Sequence, residues 1–128
     1  LKILLDTHTF LWFITNDKNL SPMAREIIED SDNDRLLSIA SLWEIAIKSS
    51  LGKLKSKAPF PQLIPVQLKI NLIELLPIKI SHLSLVSDLT FHHRDPFDRL
   101  LIAQSLVEDL PIISIDAQLD DYGIDRIW

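Results

Sequence analysis

The chain contains no cysteine, which excludes disulfides and thiolate zinc sites and suits a reducing compartment. It has only two glycines, Gly52 and Gly123. No glycine-rich phosphate loop of either common type is present, which argues against nucleotide binding by that route. The apolar runs stop well short of the roughly 18–20 residues that a membrane span needs. No basic leader with a cleavage site precedes them, and the expectation is a cytoplasmic chain. Positive charge is scarce as well: 13 Lys and Arg stand against 18 Asp and Glu, for a net charge of -5. That is a poor footprint for gripping nucleic acid with bare lysines. A nucleic-acid partner would need positive charge from elsewhere, such as a divalent cation held by clustered carboxylates.

What is present is a hydrophobic content of 47% in 128 residues, which suits one domain with one core over residues 1–128. Short apolar runs alternate with helical patterns. "LKILL", "RLLSI", "LIELLPI" and "PIISI" read as strands, and "DRIW" as a fifth. Between them, "HTFLWFITN", "SPMAREIIEDS", "SLWEIAIKSSLGKL", "PQLIPVQLKIN", "SHLSLVSDL" and "DPFDRLLIAQSLVEDL" read as helices. Ser21 is placed as an N-cap before Pro22, Gly52 as a helix end, and Pro65 in a first turn. Strands alternating with helices predict an α/β fold with a mostly parallel central sheet. Such sheets bind ligands beyond the carboxyl ends of their strands.

The acids near those ends carry the chemistry. Asp6 follows the first strand and Asp116 the fourth, and each could equally cap the helix after it. Glu44 sits three residues after Ser41, a capping-box spacing, and one turn before Lys48. Asp95 precedes Pro96 and reads as an N-cap, which leaves Asp98 as a further first-turn acid stabilised by the helix dipole. In a parallel sheet these ends fall on one edge. Carboxylates gathered there repel one another unless protonated or bound to a cation, with magnesium or manganese the natural choice for oxygen ligands.

The stretches "LLDTHTFLWF", "SLWEIAIK", "HRDPFDRLLIAQ" and "ISID" resemble the PIN domain, and more narrowly the VapC-type toxins of type II toxin–antitoxin pairs. The resemblance covers essentially the whole chain. It implies a three-layer α/β/α sandwich and magnesium-dependent endonucleolytic cleavage of RNA, with Mn2+ as an alternative ion. It also implies a homodimer and a cognate antitoxin protein. The acidic quartet it implies is Asp6, Glu44, Asp98 and Asp116, with Asp6, Asp98 and Asp116 as metal ligands and Glu44 holding water or a second ion. Thr7 and Ser114 fall on its small hydroxyl positions beside the acids.

Lys48, Arg94 and Arg99 are candidate RNA contacts, as is the basic run 48–57. His92 and His93 are expected to pack or hydrogen-bond, His82 to be a surface or helix-cap residue, and the role of His8 is open. Trp12 and Phe13 are candidates for an apolar surface that another chain covers. Two other enzyme-like readings fit less well. An aspartyl-phosphate phosphatase would carry a second acid where His8 stands, and a receiver domain would need a late lysine that "IISID" does not offer. A catalytically silent RNA-binding or protein-interaction relative is the alternative to a nuclease.

Overall fold

A computed structural model describes residues 1–54 and 58–128. Lys55, Ser56 and Lys57 of the basic run lie outside the described residues. Five strands form one all-parallel sheet: β1 (Lys2–Leu5), β2 (Asp34–Ser38), β3 (Ile73–Leu76), β4 (Ile112–Ile113) and β5 (Arg126–Ile127). Their order is β3-β2-β1-β4-β5. The helices are α1 (Thr7–Ile14), α2 (Pro22–Glu29), α3 (Ile39–Ser50), α4 (Phe60–Ile70), α5 (Ile80–Asp88) and α6 (Pro96–Glu108), with a short 3-10 helix over Ala117–Tyr122.

The strand centres are apolar because helices cover both faces of the sheet there, while Lys2, Asp34, Arg35 and Arg126 stand at strand starts and Glu74 on the edge strand β3. Successive side chains point to opposite faces. Ile3, Leu5, Leu37 and Ile113 therefore pack with Phe10 of α1, Ala24 and Ile28 of α2, Ile45 of α3 and Ile64 of α4. Leu4, Leu36 and Ile112 pack on the other side with Leu101 and Ile102 of α6 and Leu119. The result is the three-layer α/β/α sandwich. Trp12 and Phe13 are partly buried against the first of these clusters. Among the described residues, no helix is long and apolar enough to cross a membrane.

Two local expectations change. The third helix begins earlier than the Ser41–Glu44 spacing implied, because Ser38 ends β2 and its hydroxyl accepts the Ala40 N–H at 3.0 Å. Glu44 is thus a second-turn residue and no capping box involves it. Helix α4 starts at Phe60 with Pro61 in its first turn, so Pro65 lies inside the helix.

This topology positions the site. α1 and α3 leave the carboxyl ends of β1 and β2 directly, and the 3-10 helix follows β4. α6 leads back to the start of β4, so its N-terminus lies at the same edge.

Candidate metal centre

Each acid reaches the edge by an ordinary local device. Asp6 caps α1, its Oδ1 accepting the Thr9 N–H at 2.7 Å. The Thr9 hydroxyl ties that turn to the Ile113 carbonyl at 2.8 Å, which locks the end of β4 beside the end of β1. Asp95 caps α6 by accepting the N–H groups of Phe97 and Asp98. Asp116 caps the 3-10 helix through the Gln118 N–H at 3.0 Å. The capping readings of Asp6, Asp95 and Asp116 therefore hold. Each spends Oδ1 on the backbone, which leaves its other oxygen free of the capping role.

Asp98 needs no capping role, and its environment is unfavourable for charge. Burial pushes its carboxyl up to about 7, with Asp95, Glu44 and Asp6 adding to the rise while His93 opposes it. Glu44 is only 7% exposed. One of its oxygens pairs with Lys48 Nζ at 3.0 Å, and the other, Oε1, is buried with no partner. An orphaned carboxylate oxygen beside further acids fits residues that would hold a cation. The carboxylate oxygens of these acids fit a hard divalent ion. Trp43 and Phe97 meet edge to face at 5.2 Å, which braces α3 against α6 next to Glu44 and Asp98.

The structure brings the four acids of the expected quartet to one edge but not into one tight group. Among the described residues, the ligand-capable atoms that lie within 4.8 Å of one another belong to His93, Asp98 and Asp116. Asp6 and Glu44 are near enough to raise the pKa of Asp98. The two hydroxyl residues have specific partners. The Thr7 hydroxyl donates to Ser41 Oγ at 3.0 Å, and Ser114 Oγ accepts the Asp116 N–H at 3.1 Å.

The basic candidates divide. Arg94 is exposed, and Lys48 is engaged with Glu44. Arg99, expected as an RNA contact, is instead 6% exposed. Its guanidinium donates to the carbonyls of Val86, Leu89, Thr90 and His93 and lies 4.0 Å from the centre of the Phe91 ring. Four of its five N–H donors are spent on the 86–93 segment, which removes the two-point fork that grips phosphate.

The histidines also divide. His82 is not a surface residue. It is fully buried, and it acts as a cap by accepting the Lys79 N–H on Nδ1 at 3.0 Å. His92 packs edge to face on Tyr122, as expected of a packing residue. His93 hydrogen-bonds, but to one of the acids, Asp116, with Asp98 3.3 Å from the same ring nitrogen. Its position two residues before an N-cap is the only sequence signal of that role. Arg126 was not singled out from the sequence. It forms a two-point pair with Asp120 and donates to the Ser114 carbonyl at 3.1 Å, buttressing the strand end that carries Asp116. The described residues also form a groove of about 790 Å³ lined by His8, Trp12, Ile45, Lys48, Phe60 and Ile64. It holds none of the four acids and meets the site only at Lys48.

The PIN domain family model matches residues 3–125, and the chain belongs to that family. The fold is shared with solved structures of low sequence identity. VapBC2 from Rickettsia felis, bound to a DNA fragment from their promoter, superposes with a TM-score of 0.70 at 14% identity, covering 99% of this chain and 98% of that one. VapBC-1 from nontypeable Haemophilus influenzae gives 0.69 at 12%, covering 99% and 97%. FitAcB from Neisseria gonorrhoeae gives 0.62 at 16%, covering 98% and 96%. No curated protein matches the chain by sequence.

Proposed function

We propose that this chain is a magnesium-dependent endoribonuclease, the VapC-type toxin of a type II toxin–antitoxin pair. The observation that carries the reading is the gathering of Asp6, Glu44, Asp98 and Asp116 at one sheet edge, with a buried oxygen of Glu44 unpartnered and Asp98 resisting ionisation. Acids arranged at such cost are costly for a scaffold and useful for a cation. Asp6, Asp98 and Asp116 would hold Mg2+, with Mn2+ able to replace it. The ion supplies Lewis-acid activation of water and of the phosphoryl oxygens. Glu44 Oε1 would accept a hydrogen bond from the attacking water. Arg94 would meet the phosphate backbone, joined by Lys48 once it leaves Glu44. Thr7 and Ser114 keep the two strand ends in place.

The net charge of -5 agrees with a substrate bound through the metal rather than through a basic surface. An antitoxin partner is supported by the neighbours, which are toxin–antitoxin assemblies. The groove between α1, α3 and α4, with Trp12 in its wall, offers that partner an apolar seat. A homodimer and a cytoplasmic location complete the reading.

One observation favours the alternative, a catalytically silent RNA-binding or interaction module. Lys48 and His93 already give Glu44, Asp98 and Asp116 partners without a metal. Magnesium-dependent cleavage of a mixed structured RNA pool by antitoxin-free protein decides between them. Cleavage lost in Asp98→Asn and with a chelator establishes the nuclease. A folded chain that neither cleaves nor binds magnesium establishes the module.

A further inference from the structure

The two ring nitrogens of His93 face different partners. The backbone N–H of Asp95 donates to Nδ1 at 3.1 Å. A backbone amide can only donate, so Nδ1 carries a lone pair and the single proton of a neutral imidazole sits on Nε2. Nε2 lies 2.8 Å from Asp116 Oδ2 and 3.3 Å from Asp98 Oδ2. The backbone that carries the ring is pinned on both sides. The His93 N–H donates to the Tyr122 hydroxyl at 2.8 Å, and that hydroxyl donates to the Thr90 carbonyl. The His93 carbonyl accepts from Arg99 at 3.3 Å.

We propose that His93 is a positioning residue of this site. The N-terminus of α6 fixes its proton on Nε2, and that proton hydrogen-bonds Asp116 and holds its carboxylate beside that of Asp98, 3.3 Å from the same nitrogen, before any cation binds. Two carboxylates on different elements would otherwise turn away from each other. Asp116 is then oriented through both oxygens, Oδ1 by the Gln118 N–H and Oδ2 by His93. In this tautomer Nε2 has no lone pair to give. His93 is therefore not a third ligand, although it stands within ligand distance of the two acids. Where cation binding is concerned, the inference rests on the nuclease reading.

The first test is the nitrogen-15 spectrum of the His93 ring in metal-free protein. A protonated Nε2 and an unprotonated Nδ1 support the proposal, and the opposite tautomer overturns it. The second test compares two variants by calorimetric titration with Mn2+ and Mg2+, alongside their melting curves. His93→Asn keeps an acceptor near the place of Nδ1 for the Asp95 N–H but removes the Nε2 donor. His93→Gln returns a donor near the place of Nε2.

The expected result is at least about tenfold weaker cation binding in the Asn variant, with recovery to within about threefold of the unmodified chain in the Gln variant. Unchanged binding in the Asn variant overturns the proposal. So does equal weakening in both variants with lowered melting temperatures, which would make His93 merely structural. An unmodified chain that binds neither cation refutes the metal-nuclease reading, while its ring nitrogen shifts still decide the tautomer.

Discussion

Glu44 and Lys48 form an ion pair of 3.0 Å one helical turn apart, yet the second oxygen of Glu44 is buried without a partner. The pair satisfies half of a carboxylate and leaves the other half buried and unpartnered, near enough to Asp98 to raise its pKa. Lys48→Met leaves that carboxylate wholly unpaired. The expected cost is about 1–2 kcal/mol, more than the few tenths of an exposed i,i+4 pair. Urea unfolding of the metal-free protein measures it. Saturating Mg2+ should return part of the loss, because a bound cation replaces the missing charge.

Asp98→Asn should separate stability from activity. Asp98 is held against burial and three neighbouring acids, so a neutral isostere relieves the metal-free fold. A rise of a few degrees in melting temperature at about pH 8 is expected, together with loss of cleavage by at least about a hundredfold. A melting temperature that falls would show that the carboxylate is needed for folding.

The pH dependence of stability has a definite sign. The folded-state pKa of Asp98, about 7, lies above its ordinary value of 3.8. The folded chain therefore binds more protons than the unfolded chain between those values. The contribution of Asp98 to stability is complete below pH 3.8, declines as pH rises through the interval, and levels off above about 7. Urea unfolding of the metal-free protein across this range, with Asp98→Asn as reference, should show the difference. Magnesium affinity should move oppositely, rising with pH through about 7 as the carboxyl gives up its proton.

The two arginines of the "HRDPFDR" segment should behave differently. Arg99→Lys cannot reproduce a planar fork that serves four carbonyls, so a loss of about 2–3 kcal/mol is expected, without a specific loss of RNA affinity. Arg94→Ala should leave the melting curve unchanged. It should also weaken RNA binding and flatten its salt dependence by about one unit of slope. Denaturation and filter binding at two salt concentrations distinguish them.

Several features of this protein were determined by local sequence. The alternation of short apolar runs with helical patterns was enough for a parallel α/β sandwich, because strand centres buried on both faces are apolar and polar residues fall at strand ends or on the edge strand. Ser21, Asp95 and Gly52 act as helix ends because capping depends on neighbours within a few residues. The acids at the strand ends were legible for the same reason, since parallel topology sends every such end to one edge. Tertiary structure decided which of the charged residues face that edge. Arg94 and Arg99 look alike in sequence, but only Arg99 has four carbonyls of the 86–93 segment around it. His82 and His93 became buried hydrogen-bonding residues through partners 22 or more positions away, Glu108 and Gln104 for one and Tyr122 and Asp116 for the other. No local pattern encodes such partners, because they exist only once the sheet has brought distant segments together.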